Sequence, residues 1–325
     1  MTKASVALAA SLIVWGQTGV RPGSDQGQTG VRPRFEFTEV HMGMPVRVAL
    51  YAPDRDTAER AGRAAFARIA ALDARLSDYR PDSELRRLER KPGERVTISP
   101  ELYHVLRTAL DVARITDGAF DPTVGPLVAL WRTARREQRL PTDDAIRAAR
   151  EIVGWRKIKL EPPNGVRLAT AGMRLDLGGI AKGYILQEAL FTLRAHGVTA
   201  ALVEAGGDAV VGDAPPGKPG WTIATPGSDA AVARRAKSLT NIALATSGPT
   251  AQFFEIDGVR YSHVIDPRTS LGVTSGRTVR VIARDAAIAD AVATALGVTG
   301  PAGLTALQSV FPHIVVSIVE ISASR

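Results

Sequence analysis

The stretch LDLGGIAKGY, residues 175–184, decides how the chain is to be read. Its opening residues look like the end of a strand and its closing residues like the start of a helix. Two glycines, Gly178 and Gly179, stand at the junction, where missing side chains let the backbone approach another group closely. Lys182 then falls on the first helical turn. Backbone amides, the positive end of a helix dipole and an ammonium together make an anion site. The alternative is an ordinary tight turn with a solvated lysine. The stretch is not a phosphate-binding P-loop, which needs a different glycine spacing and a Lys-Ser or Lys-Thr pair.

Were strand-to-helix passages repeated regularly along the chain, a doubly wound sheet would follow. They are not. FEFTEVHMGMPVRVALYA, from Phe35, alternates as two strands broken at Gly43 and Pro45. Residues 56–76 are Ala-rich with apolar side chains at helical spacing, an amphipathic helix. Ser99-Pro100-Glu101 supplies a cap, a first-turn proline and an acid for a helix running towards Asp117-Gly118. Another helix starts near Thr142, with Asp143 and Asp144 at its positive end. VRLAT, MRLDLGG, TAALVEAGGD, WTIAT, ALATSG and TVRVIAR read as strands or strand ends, and 285–296 as the last clear helix. Short strands mixed irregularly with helices predict an α+β fold.

Composition bounds the function. The chain has 325 residues, 45% of them hydrophobic, enough for one large domain or two lobes. The formal charge is +8, mostly from arginine, which suits anionic ligands. The basic residues are scattered and aromatics make up only 5%, so dedicated nucleic-acid binding is disfavoured. With no cysteine, disulfides, thiolate metal sites and cysteine nucleophiles are excluded. Near the N-terminus Lys3 precedes ASVALAASLIVWG, too short to span a bilayer and about as long as a signal-peptide core. A duplicated GQTGVRP follows, starting at residues 16 and 27, and reads as a linker. No small-x-small cleavage site follows the apolar run, so export and cytoplasmic residence both stay open. The expected organisation is a segment 1–34 and a main domain 35–325.

Several further stretches could carry chemistry. In IADAVATALG, Asp290 and Thr294 stand four apart on one helix face, a carboxylate and a hydroxyl suited to Mg²⁺. The apolar neighbours Ile288, Val292 and Leu296 put this aspartate near the core boundary. TDGAFDPTVGPLVALW, residues 116–131, must form an ordered loop at Asp121-Pro122 and Gly125-Pro126. Asp121 would there bind a sugar or base, or cap a turn. Gly206-Gly207-Asp208 reads as a turn, and Thr246-Ser247-Gly248 as a phosphate cradle or a strand end. RYSHVIDPRTS, from Arg260, crowds Tyr261, Ser262, His263, Asp266, Arg268 and Thr269 around one hairpin-like bend. That is a solvated turn or a site that moves protons beside phosphate.

In this order, MGM, LSDYRPDSEL, TDGAFDPTVGPLVALW, LDLGGIAKGY, AGGD, ATSG, YSHVIDPRT and ADAVATAL resemble the FAD:protein FMN transferases, the ApbE-type flavin transferases. The resemblance runs from about Met42 to about Leu296. It implies a single α+β domain, T-fold-like, with mixed or antiparallel sheets and helices around a flavin-binding cleft. It also implies Mg²⁺-dependent transfer of FMN from FAD to a threonine of an acceptor protein, with release of AMP. FAD and the acceptor are then the partners, and a membrane-associated redox partner stays open.

Residue by residue, the resemblance puts Met42, Tyr79, Ala119, Phe120, Asp121, Asp176, Lys182 and Ile265 at flavin-contact positions. Asp290, Thr294 and the main-chain carbonyl of Gly179 fall at metal positions, and His263 at that of a histidine assisting proton transfer. Three positions depart from the family pattern: Gln187 replaces an aspartate, Glu89 an asparagine and Ser270 a glycine. FAD hydrolysis to FMN and AMP, and flavin carriage without chemistry, are the competing readings. Retention of Asp290, Thr294 and His263 disfavours a pure carrier, which needs neither metal nor base.

Overall fold

The structure, a computed structural model, describes residues 32–225, 228–248 and 253–320. The apolar N-terminal run and most of the duplicated GQTGVRP segment lie outside these residues. In chain order come β1 (Arg34–His41), β2 (Met44–Tyr51), α1 (Arg55–Leu76), α2 (Glu84–Glu89), β3 (Val96–Thr97), α3 (Pro100–Ile115) and α4 (Gly125–Glu137). Then follow α5 (Asp143–Ile152), β4 (Ile158–Glu161), β5 (Gly165–Leu168), α6 (Ala181–Ala195), β6 (Ala201–Ala205), β7 (Asp208–Val211) and α7 (Ala230–Arg235). The last part holds β8 (Ile242–Ser247), β9 (Phe253–Ile256), β10 (Val259–Ser262), β11 (Ile265–Asp266), β12 (Leu271–Gly272), β13 (Arg277–Ala283), α8 (Ala286–Thr299), α9 (Leu304–Val310) and β14 (Val315–Glu320).

One seven-stranded sheet, ordered β1-β2-β6-β7-β8-β13-β14 and antiparallel throughout, organises the molecule. Alternation gives it two apolar faces. Val46, Val48 and Leu50, with Ala201, Val203, Val279 and Val281, meet α1, α3, α6 and α8 in the main core. Ala49, Leu202, Leu244 and Ile282 point the other way, against Trp221, Leu239 and Val232 of α7. A third cluster joins Leu127, Trp131 and Ala134 of α4 and Ala149 of α5 to Phe254, Ile256 and Ile265 of the hairpins β9-β10 and β11-β12. The expected α+β class holds, with antiparallel sheets in one mixed fold.

The predicted helix starts at Ser99, Thr142 and Asp285 all hold. Each of these side chains accepts a hydrogen bond from a first-turn amide, as an N-cap does. Three strand expectations change, one of them WTIAT, where Trp221 makes only an isolated bridge to Leu239 and residues 222–225 are not strand. The first pair turns at Met42-Gly43 alone, where φ is 52° and 72°, the two-residue turn that matches strand twist. Pro45 lies inside β2, one residue before the β6 ladder starts at Val46. MRLDLGG is not a strand: the Leu175 amide donates to the Glu89 carboxylate (2.6 Å) and the Asp176 amide to the Pro122 carbonyl (2.9 Å). Residues 286–310 are apolar enough to cross a membrane by composition, yet α8 is buried almost throughout against the sheet and α6.

Candidate active site

The Gly-Gly junction ends as the sequence suggests, in the first turn of α6, and its glycines bring α8 close. A Cβ on Gly179 would lie 2.8 Å from Thr294 Oγ1, and one on Gly183 only 2.1 Å from the Ala286 carbonyl oxygen. Helix α6 has no side-chain N-cap of its own. Instead the Gly183 amide donates to Asp290 Oδ2 at 3.1 Å, so a carboxylate from α8 sits at the positive end of α6. Gln187, one turn further on, accepts from the Ala286 amide at 2.6 Å and ties α6 to the start of α8. Its longer reach serves a structural contact.

Lys182 reaches Asp208 across the Gly206-Gly207 turn, with Nζ 3.0 Å from Oδ2. Asp208 is only 2% exposed, and its Oδ1 accepts from the Thr246 amide at 2.8 Å. AGGD, read as a turn, therefore also supplies a buried counter-charge, and ATSG supplies the amide that fixes it. Burial pushes the Asp290 carboxyl up to about 7, helped by the Asp208 charge and opposed by Lys182. Asp208 is raised by burial against the pull of Lys182. Burial alone would lower the Lys182 ammonium, but Asp208 and Asp290 together raise it. Two buried acids thus share one ammonium, a site short of positive charge. No cluster of three His, Asp or Glu capable of holding a metal occurs among the described residues. A cation here would need the Asp290 carboxylate together with hydroxyl and carbonyl oxygens such as those of Thr294 and Gly179.

The AFD loop leans on this junction. Phe120 Cε2 is 3.2 Å from where a Gly179 Cβ would be, and Ala119 and Phe120 are buried. Asp121 has both oxygens engaged: Oδ1 accepts from the Thr123 amide (2.8 Å) and hydroxyl (2.6 Å), and Oδ2 from the Trp155 amide (2.9 Å). Its carboxylate braces the loop, which leaves the backbone of this segment as the part that can face a ligand. After the loop, Gly125 opens α4 where a Cβ would strike Arg174 O at 2.6 Å.

Asp176 and Tyr79 meet on the far side of the junction, around residues that sequence reasoning missed. Asp176 Oδ1 accepts from the Gly178 amide at 2.9 Å. Its carboxyl is raised by burial and by Asp78, against the pull of Arg132 and Arg86. Arg132 of α4 donates to Tyr79 Oη (2.9 Å) and Asp78 Oδ2 (3.0 Å) and lies 3.8 Å from Asp176 Oδ2. Arg86 of α2 donates to the Asp78 carbonyl (2.8 Å) and to Glu89 (2.6 Å). Glu89, the departure from the family's asparagine, carries this chain of charges back to the Leu175 amide. Nothing local marked these partners, which converge from three separate elements.

The remaining expected residues are Met42, Ile265 and His263. Met42 forms the β1-β2 turn, packed against the main core. Ile265 is buried in the third cluster, and His263 is exposed at the bend between β10 and β11. This hairpin lobe rests on α4: the Trp131 ring lies 5.0 Å from that of Tyr261, tilted by 45°, and its indole N–H donates to the Ser270 carbonyl at 2.9 Å. Trp131 and Arg132, adjacent on α4, thus link the lobe carrying His263 to the cluster of Tyr79 and Asp176.

Known proteins resemble the chain over most of its length. The ApbE family model matches residues 42–316. An FAD:protein FMN transferase of Treponema pallidum (strain Nichols) is 33% identical over 312 residues, 90% of this chain and 86% of the relative. One of Vibrio cholerae is 35% identical over 239 residues, 71% of each. The crystal structure of the ApbE protein from Thermotoga maritima superposes with a TM-score of 0.76 at 30% identity, covering 89% of this chain and 94% of that one. The flavin transferase ApbE of Vibrio cholerae gives 0.76 at 28% identity, covering 90% and 98%. A family model spanning most of the chain and a shared fold lead to one conclusion: this chain belongs to the ApbE family.

Proposed function

We propose that the chain is an FAD:protein FMN transferase that moves FMN from FAD onto a threonine hydroxyl of an acceptor protein and releases AMP. The observation that carries this reading is the α6–α8 junction, where Lys182, Asp290, Thr294 and the Gly179 backbone converge within a chain of this family. In the reaction the threonine oxygen forms a bond to the FMN-side phosphorus. The bond from that phosphorus to the bridging oxygen breaks, and the electron pair leaves with AMP.

The donors at the junction are hard oxygens beside a surplus of buried negative charge, which fits Mg²⁺. Asp290, Thr294 and the Gly179 carbonyl would hold the ion, which when bound supplies positive charge to the pyrophosphate. Lys182, kept protonated by its two acidic neighbours, adds charge on the same side. His263 takes the proton from the attacking hydroxyl, which is otherwise a poor nucleophile near neutral pH. Met42, Tyr79, Asp176, Ile265 and the segment Ala119-Phe120-Asp121 line the flavin side.

Incubation with FAD, Mg²⁺ and a threonine-bearing acceptor, followed by intact-protein mass analysis, tests the reading. One FMN should be added to the acceptor, and either chelation or Asp290→Asn should abolish the addition. His263→Ala should bind FAD normally and transfer about a hundredfold more slowly. Release of free FMN and AMP at an undiminished rate, with no mass added to the acceptor, would make the protein a hydrolase instead.

A further inference from the structure

We infer that Arg132 is a positioning residue of the substrate site: it backs Tyr79 to form a one-sided platform on which a planar heteroaromatic ring of the dinucleotide stacks. The inference rests on the FAD-transferase reading and adds a residue to it. Tyr79 is 76% exposed, so its ring is not a core side chain. The guanidinium of Arg132 nonetheless lies over it, Cζ 4.4 Å from the ring centroid, and the same group donates to the phenol oxygen at 2.9 Å. A ring gripped at both face and hydroxyl has lost most of its rotational freedom. The face turned away from Arg132 is left to a ligand.

The charges around Arg132 indicate which part of a dinucleotide it serves. Asp78, 3.0 Å away, and Asp176, 3.8 Å away, already neutralise the guanidinium. A phosphate would meet those two carboxylates as well as the arginine. An uncharged flat ring meets no such repulsion, and stacking on an Arg-backed phenol strengthens its hold. The setting is also fixed from behind. Asp78 is held by Arg86 through its carbonyl, Arg86 by Glu89, and Glu89 holds the Leu175 amide next to Asp176. This closed loop of hydrogen bonds and ion pairs sets the platform and Asp176 in one register. The isoalloxazine ring and the adenine ring are the two candidates for the platform.

Binding of FAD, riboflavin and AMP is measured on the wild type, Arg132→Ala and Arg132→Lys, with melting temperatures and single-turnover FMN transfer. Arg132→Ala should weaken FAD about tenfold. It should weaken one ring fragment by the same factor and leave the other unchanged, which identifies the ring on the platform. Transfer at saturating FAD should keep its rate. Arg132→Lys, which keeps the charge beside Asp78 but not the planar group, should melt like the wild type yet bind FAD as weakly as the alanine variant. Should the alanine variant not fold, the lysine variant decides alone. Wild-type FAD affinity in Arg132→Lys, or equal losses for both fragments, overturns the platform. A wild type that transfers FMN while both variants bind FAD as tightly as it does sinks this inference alone, whereas a wild type that does not bind FAD removes the functional reading and this inference with it.

Discussion

Ser270 sits at φ 67°, in the left-handed region where a Cβ is strained, and its hydroxyl is buried with no partner among the described residues. Only its backbone is used: the amide donates to the Asp266 carbonyl at 2.7 Å and the carbonyl accepts from Trp131. Ser270→Gly removes both the strain and the orphaned hydroxyl while keeping those bonds. It should stabilise the protein by about 1 kcal/mol, raising the melting temperature by roughly 2–4 °C for a domain of this size. An unchanged or lower melting temperature would contradict this account. The departure was visible in the sequence as a serine where the family has glycine, but its cost was not, because φ depends on how the β11-β12 turn closes. The same limit applies to Gln187 and Glu89. Both stood out by type, and their partners, Ala286 and Leu175, lie about a hundred and about ninety residues away.

At the level of elements, the crossing of α6 and α8 depends on Gly183 having no side chain. Its virtual Cβ meets backbone, the Ala286 carbonyl at 2.1 Å, and the Asp290 Cβ at 3.0 Å, so neither helix can accommodate it by a rotamer change. Gly183→Ala should cost about 3 kcal/mol through overpacking and displace the Asp290 carboxylate from the α6 amide. Gly178→Ala, whose Cβ would meet only Asp176 Oδ1 at 3.0 Å, should cost far less. Equal melting temperatures for the two variants would refute the packing argument. Helices and their starts were legible because capping and apolar spacing are local signals. MRLDLGG was misread because its amides are satisfied by a side chain of α2 and a loop carbonyl, which no alternation pattern reveals. Helix α4 was missed because the prolines at its mouth read as loop, although Pro126 merely occupies its first turn.

Over the whole molecule, the two faces of the sheet share strands, whereas the third apolar cluster packs α4 and α5 against the hairpins β9–β12, outside that sheet. Hydrogen exchange should therefore find the slowest amides in β2, β6, β7, β8 and β13, and a separate, easier opening in β9–β12. Uniform protection across both regions would contradict this division. The fold class was legible from irregular mixing of short strands and helices; the strand order was not, because periodicity does not say which strands are neighbours. That order has a consequence in time. Strand β2 is covered on one side by β1 almost at once, but its other neighbour, β6, pairs Ala205 with Val46. At about 5–20 residues per second of synthesis, the N-terminal hairpin waits roughly 10–30 s beside the ribosome with one apolar edge open. During that interval the unpaired backbone edge of β2 is open to pairing with other chains, and its mature partner strand arrives joined to the Gly206-Gly207 turn that carries the Asp208 charge.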